Sequence, residues 1–234
     1  MQSTLLTTLL LGFALGMEHA LDADHLVAVS TLLGQSRHPL KAARVGALWG
    51  LGHTTTLFLT GLIVIAFKLT IPTQLALSME FLVGVLLFGL GAQILWKHHR
   101  KRIHTHDHAH PSEISGHQHF HYHAEVVEHR HTHLSHHRSL ALGMIHGLAG
   151  SAALTLLVLT TIQSAAEGIA YILLFGAGSI LGMTLISTLI GLPFALSSRR
   201  FAAVNYAFRL VAGAVSMVLG IIVMLETGIA AGLI

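Results

Sequence analysis

The stretch H-A-L-D-A-D-H, from His19 to His25, places two imidazoles and two carboxylates between apolar runs that would otherwise form one membrane-spanning helix. Ionisable groups at membrane depth are costly, and they are usually retained because they handle an ion, a proton or a charged substrate. We therefore interpret the rest of the chain as the structure that surrounds this polar stretch.

The composition is that of an integral membrane protein. Of the 234 residues, 53% are hydrophobic and only 10% are charged, which is too apolar for an ordinary soluble domain of this length. The chain has no cysteine, so disulfides and thiolate metal sites are excluded, and any metal must be held by His, carboxylate, Met or backbone oxygen. Most of the Lys and Arg residues that give the net charge of +3 lie in predicted loops, where they indicate the orientation in the membrane rather than nucleic-acid binding.

The sequence predicts an all-α integral membrane fold with six transmembrane helices. A hydrocarbon core of about 30 Å needs about 20 mostly apolar residues per helix. Six segments meet that requirement: residues 5–33, 45–67, 75–96, 140–162, 168–192 and 202–225. We expect three parts: a first three-helix repeat over 1–96, a disordered His-rich loop over 97–138, and a second three-helix repeat over 139–234.

Positive charge predicts the orientation in the membrane. The loops after the first, third and fifth segments hold 12 of the 13 Lys and Arg residues, and Lys68 is the exception. These alternate loops share one side, and cytoplasmic loops carry the excess of Lys and Arg. We therefore expect a multi-pass protein of the inner, cytoplasmic membrane with both termini outside and the central loop in the cytoplasm.

An internal repeat supports the two groups of three helices. Residues 14–21 (ALGMEHAL) recur as residues 141–148 (ALGMIHGL), with His19 over His146. Two further alignments have nearly the same shift: 51–54 with 181–184, and 80–84 with 209–213. Repeats of three helices must be inverted relative to each other, and such folds bind substrate near the membrane midplane.

Helical geometry divides the polar groups of the first segment. At about 100° per residue, His19, Asp22 and His25 fall within one arc, whereas Asp24 points elsewhere. Either the helix is broken here, or Asp24 orients a ligand instead of binding the ion. Imidazole and carboxylate without sulfur suit nickel, cobalt or zinc better than sodium or magnesium. The structural alternative is a set of histidines that only hydrogen-bond within the bundle.

Two histidines outside the first segment are further candidates. His53 lies between glycines and threonines that permit close helix packing or line a polar path. In the second copy of the repeat, the counterparts of Asp22, Asp24 and His25 are apolar or small, so His146 is its possible contribution and is otherwise a packed histidine. The predicted metal ligands are His19, Asp22, Asp24, His25, His53 and His146.

The central loop is the second strong signal. Of the 20 histidines, 15 lie between Lys97 and Arg138, mostly alternating with other residues. Alternating His gives many N-ligand pairs of low specificity, with few apolar residues to fold around. We interpret the segment as a flexible cytoplasmic metal-binding loop, and the alternative is a pH-responsive solvated segment.

Catalytic signals are sparse. His-Glu-x-x-His is absent, and the spacing of His19 and His25 differs from the i, i+4 pair of zinc metalloproteases. No Gly-rich phosphate loop with Lys occurs, so transport must use gradients or a partner rather than a built-in ATPase. We expect the protein not to be an enzyme.

Two motifs make the sequence similar to the nickel/cobalt transporter family. The signature His-x-x-x-x-Asp-His, within Arg-His-Ala-x-Asp-Ala-Asp-His, corresponds to residues 18–25, with Glu18 in place of the arginine. A second motif, Leu-Gly-His followed by Ser or Thr, corresponds to residues 51–54. The resemblance covers the first half and implies secondary transport of Ni²⁺ or Co²⁺. The residues whose family counterparts matter most are His19, Asp24, His25 and His53.

Other features depart from the uptake members of that family. Six helices around a His-rich loop look more like the related nickel/cobalt efflux proteins, and residues 146–151 (HGLAGS) are similar to membrane proteins associated with urease maturation. We expect secondary transport of nickel, with cobalt second, and uptake as the favoured direction. The alternatives are efflux, or a non-transporting accessory protein that delivers nickel. Expected partners are the metal ion, the lipid bilayer and a cytoplasmic nickel acceptor, with no cofactor beyond the transported ion.

Overall fold

Helices account for nearly all of the secondary structure in the computed structural model. It describes residues 2–33, 38–69, 71–100, 106–108, 117–119, 134–148, 164–200 and 202–234. Within these ranges, helices α1 to α7 are Gln2–His19, Ala23–Leu33, Pro39–Phe67, Thr73–Arg100, Leu134–His146, Ala165–Arg200 and Ala202–Ala231.

Four stretches are long and apolar enough to cross a membrane: Pro39–Phe67, Thr73–Lys97, Ala165–Pro193 and Ala203–Ala231. They correspond to the second, third, fifth and sixth predicted segments, so the all-α membrane architecture is confirmed at this level. The first predicted segment, 5–33, is divided into α1 and α2. The fourth, 140–162, is described as far as Leu148, and its remainder lies outside the described residues.

The ends of α3 show local signals that begin and stop a helix. Pro39 occupies its first turn, where the missing N–H costs nothing, and the His38 side chain accepts a hydrogen bond from the Leu40 N–H at 3.2 Å. At the other end Lys68 adopts a left-handed conformation, with φ 50°, and its N–H bonds to the Val64 carbonyl.

Close backbone contacts hold the helices together. Helix α3 packs against α6 and α5, α1 packs against α6, and α4 packs against α7. At many of these contacts a glycine lies directly on the backbone of the neighbouring helix, as Gly91 of α4 does on α7 and Gly220 of α7 does on α4. Small residues at the interface are how membrane helices approach each other, because lipid provides no hydrophobic drive between them.

Large apolar side chains cover the outer surface, as expected for helices that face lipid. Phe67, Leu189 and Val211 are 71%, 68% and 60% exposed. The interior is built around the fully buried Trp49 and Leu87, which pack in one cluster with Ala20 at the end of α1. This cluster lies beside the break between α1 and α2.

A short antiparallel ribbon is described within the His-rich loop. Strand β1, His106–His108, pairs with β2, His117–His119, so that His106 lies opposite His119 and His108 opposite His117. The disorder predicted for the remainder of residues 97–138 falls mostly outside the described residues, and helices α4 and α5 extend into both ends of that range.

Candidate metal site

The break after His19 sets the geometry of the site. Helix α1 ends there, the chain turns, and the Asp22 carbonyl accepts from the Leu26 N–H at 3.0 Å as α2 begins. A continuous helix would have pointed Asp24 away from the other polar groups. Because the chain leaves the helix for three residues, Asp24 instead reaches the same interior cluster as His25.

His19 lies between a carboxylate and a second imidazole. Its Nδ1 is 2.8 Å from Asp22 Oδ2, and its Nε2 is 3.1 Å from Nε2 of His53 on α3. A carboxylate accepts, so His19 donates its Nδ1 proton to Asp22 and turns Nε2 towards His53. Such a carboxylate partner orients an imidazole and makes it a better metal ligand.

Asp24 binds two histidines at once. Its Oδ1 accepts from His25 Nδ1 at 3.1 Å, and its Oδ2 accepts from Nε2 of His146, at the end of α5, at 2.8 Å. This leaves the opposite ring nitrogens, His25 Nε2 and His146 Nδ1, buried and without a hydrogen-bond partner among the described residues. Buried unpartnered nitrogens are costly, and a metal ion is one partner that would satisfy them.

The four imidazoles form one cluster in the interior. The His25 ring is at the centre, with ring centroids 4.6 Å from His19, 4.4 Å from His146 and 5.3 Å from His53. His53 and His146 are fully buried, and His25 is 1% exposed. The cluster thus joins side chains from α1, α2, α3 and α5.

One pair of nitrogens already has the spacing that a single divalent ion requires. Two ligands at the usual metal–nitrogen distance of about 2.0–2.1 Å stand about 2.9–3.4 Å apart around one octahedral or tetrahedral ion. The 3.1 Å between the Nε2 atoms of His19 and His53 falls within that interval. Three nitrogens, one each from His19, His25 and His53, lie within 4.8 Å of one another. The same holds for donor atoms of Asp24, His25 and His146.

All six residues predicted as ligands come together here. The two carboxylates accept hydrogen bonds from imidazole N–H groups. Their side chains are partly exposed, 46% for Asp22 and 29% for Asp24. Whether they also bind an ion stays a prediction. Four histidines of the central loop, at positions 106, 108, 117 and 119, are described only as ribbon backbone. The prediction that the loop binds metal otherwise concerns residues outside the described ranges.

Two aromatic residues beside the cluster were not predicted. The Phe175 ring of α6 lies 5.5 Å from His19, and the Trp49 ring of α3 lies 5.4 Å from His146. An aromatic residue in an apolar helix carries no signal of its own, since such residues are abundant in membrane cores. Phe175 stands to His19 as Trp49 stands to His146, and this correspondence is seen only when the surroundings of the two histidines are compared.

Similarity to known proteins agrees with a metal-ion role. A family model described as high-affinity nickel-transport protein (NicO) matches residues 5–231. The urease accessory protein UreH of Bacillus sp. (strain TB-90) is 42% identical over 238 residues, which cover 99% of this chain and 96% of that protein.

More distant relatives match smaller parts of their own length. The high-affinity nickel transport protein of Cupriavidus necator is 35% identical over 75 residues, covering 30% of this chain and 20% of that protein. A chloroplast protein of Arabidopsis thaliana, FOR GROWTH AND FERTILITY 1, is 26% identical over 189 residues, covering 80% of this chain and 50% of that protein. No solved structure matches. Because the family model spans nearly the whole chain, the chain belongs to the high-affinity nickel-transport protein family.

Proposed function

We propose that the protein is a secondary transporter that moves Ni²⁺, and Co²⁺ less well, across the cytoplasmic membrane. The observation that carries this proposal is the buried contact of His19, His25, His53 and His146 around a helix break. Four buried imidazoles, with two carboxylates hydrogen-bonded to them, are expensive to keep inside an apolar bundle unless they serve an ion. Broken helices are also where transporters bind their substrates.

The ligand chemistry selects the class of ion. Nitrogen ligands suit divalent transition metals, whereas sodium, magnesium and calcium prefer oxygen. At a site of this kind affinity rises from cobalt to nickel, so nickel is the preferred of the two. Asp22 and Asp24, when ionised, would balance the two charges of the ion and reduce the cost of its desolvation.

An inverted repeat is the architecture we propose, and the matching ends of α1 and α5 support it. Each helix stops at a histidine, His19 or His146. After each histidine the N–H of a leucine, Leu21 or Leu148, bonds back three residues to a carbonyl, at 2.8 and 3.2 Å. The two breaks therefore occur at equivalent positions, 127 residues apart, as the sequence repeat predicts.

The packing contacts of the two halves also correspond, with a shift of nearly the same number of residues. Gly52 of α3 lies on the α5 backbone at Leu140 and Met144, and Gly178 of α6 lies on the α1 backbone at Phe13 and Met17. These contacts pair Gly52 with Gly178, one helical turn before the Gly182 suggested by sequence similarity. The aromatic contacts of the two histidines agree, since Trp49 and Phe175 are also 126 residues apart.

We take inward movement as the direction, because the signature in residues 18–25 resembles that of uptake proteins. The excess of Lys and Arg in alternate loops favours a cytoplasmic location for the His-rich segment. An ion released from the cluster would then pass to the loop histidines, which would buffer it or hand it on. The second candidate is an accessory role in supplying nickel to an enzyme, which the similarity to a urease accessory protein favours.

Proteoliposomes test the transport function. The purified protein is reconstituted with an imposed proton gradient or membrane potential, and uptake of ⁶³Ni²⁺ is compared with that of Co²⁺. We expect saturable flux, faster for nickel, that the His25→Ala protein lacks. The His137→Ala protein, altered at an exposed position on α5, is the matched control. If the unaltered protein moves no nickel, cobalt or zinc, the accessory role replaces transport.

Whole cells test the direction. Cells that express the protein should accumulate more ⁶³Ni than cells without it. Lower accumulation on expression would reverse the assignment to efflux, with the His-rich loop then collecting cytosolic metal before export.

A further inference from the structure

The histidine cluster contains two overlapping sets of three ligands. The first set is His19, His25 and His53, and the second is Asp24, His25 and His146. Only His25 belongs to both. It lies between the other rings in edge-on contact with each, and its Nε2 has no hydrogen-bond partner among the described residues.

One member of each set stands at an equivalent place in the repeat. The first includes the histidine that ends α1, and the second includes the histidine that ends α5. Each terminal histidine has its own aromatic neighbour, Phe175 or Trp49, at nearly the same ring distance. In an inverted repeat, equivalent places face opposite sides of the membrane.

Binding of an ion to the first set and to the second set has different effects on the hydrogen bonds of Asp24. An ion in the first set leaves both hydrogen bonds of Asp24 intact, because that set does not use a carboxylate. An ion in the second set takes a carboxylate oxygen, so Asp24 either shares that oxygen between the ion and a histidine N–H or loses one of its two hydrogen bonds. Two divalent ions within one small cluster would also repel each other strongly in a medium of low dielectric constant.

We infer that a single cation occupies the two sets alternately and passes between them through His25, the ligand they share. The inference rests on the proposed transport of a divalent transition metal. It adds that His146 and Asp24 form a second binding position, rather than a support for the first. The ion would keep at least one nitrogen ligand throughout the transfer, which avoids complete dehydration at the midplane.

Binding and coordination measured together test this inference. Nickel binding is titrated calorimetrically on nanodisc-embedded protein whose histidines at 104–133 are replaced by glutamine, which removes most of the competing loop ligands. X-ray absorption at the nickel edge then counts imidazole ligands. We compare His25→Ala with variants of the first set, His19→Ala and His53→Ala, and of the second set, His146→Ala.

The unaltered cluster should bind one ion. His25→Ala should lose binding by at least 100-fold, because both sets lose a ligand. The variants of the first set should keep one ion, bound about 10-fold more weakly, with two imidazoles and a carboxylate oxygen. His146→Ala should keep one ion with three imidazoles, yet transport should fall by at least 100-fold.

Three outcomes would overturn the inference: two ions bound at saturation, unchanged transport in His146→Ala, or loss of all binding in His19→Ala and His53→Ala. Size-exclusion elution matching that of His137→Ala excludes misfolding as the cause of a loss. The proposed function is judged separately, by flux through the unaltered protein. Absence of that flux with the expected binding pattern would refute transport while leaving the two ligand sets in place.

Discussion

The C-terminal ends of α1 and α5 have similar backbone geometry but differ in chemistry. Both α1 and α5 stop at a histidine that packs against an aromatic ring, and both turn with the same backbone hydrogen bond. Only the first continues into carboxylates and a further histidine, and the corresponding positions of the second are Ala149, Ser151 and Ala152. The comparison shows that similar helix ends can carry different polar groups: the first half holds five of the six candidate ligands, and the second holds only His146.

Of the two carboxylates, the one that joins the halves should have the larger effect on transport. Asp24 holds a histidine from each half, whereas Asp22 holds only His19 and is more exposed. Removing a group that orients metal ligands typically costs about 10–100-fold in affinity or activity, so we expect about 100-fold for Asp24→Asn and about 10-fold for Asp22→Asn. Initial rates of nickel flux over a range of concentrations measure both. An equal or larger loss in Asp22→Asn would contradict the bridging role of Asp24.

Matched glycine substitutions test whether the two halves pack in the same way. A Cβ added at Gly52 or at Gly178 would run into the backbone of the neighbouring helix, whereas one added at Gly89 would meet nothing within 4 Å. Overpacking typically costs about 1–3 kcal/mol, so Gly52→Ala and Gly178→Ala should lower the unfolding temperature by similar amounts.

Gly89→Ala is the control, and it should be neutral or stabilise by up to about 1 kcal/mol through helix propensity. Thermal unfolding of the purified proteins in detergent compares all three. If only one of the two substitutions lowered the unfolding temperature, the packing of the two halves would not be equivalent.

The smallest effect concerns the segment between the halves. Replacing the histidines at 104–133 with glutamine should leave the maximal rate of nickel flux unchanged, because the proposed function places the transported ion in the cluster and not in the loop. Apparent affinity or the nickel tolerance of cells should change instead, since the loop offers only N-ligand pairs of low specificity. Flux assays and growth in nickel-containing medium measure these two effects. Loss of the maximal rate would make the loop part of the transport path.

Much of the site was predictable from residue types. Four ionisable groups within seven residues of an apolar run marked the first half, and the repeat marked His146. The two interpretations of Asp24, a helix break or an orienting partner, are both present in the structure. On a continuous helix, with 100° per residue, Asp24 would point away from the other polar groups. The break after His19 changes its direction, so Asp24 can follow a helix break and also hydrogen-bond to the histidines.

Other features could not be deduced from the sequence. Contact between His53 and His19 depends on how α3 approaches α1, and no local pattern encodes that approach. The alignment of 51–54 with 181–184 missed the packing relation by one turn, because short Gly and Thr matches recur in membrane helices. Gly178, which lies on the α1 backbone as Gly52 lies on α5, identifies the relation through contacts.

The ends of α1 and α5 also have an electrostatic consequence. A helix C-terminus carries roughly half a negative elementary charge, so two such ends at one cluster supply about one negative charge from backbone alone. Helix α2 begins at the same place with its positive end, so the three helix ends together leave roughly half a negative elementary charge, to which Asp24 in the first turn of α2 adds its own. The backbone part of this bias towards a cation does not depend on side chains that substitution could remove.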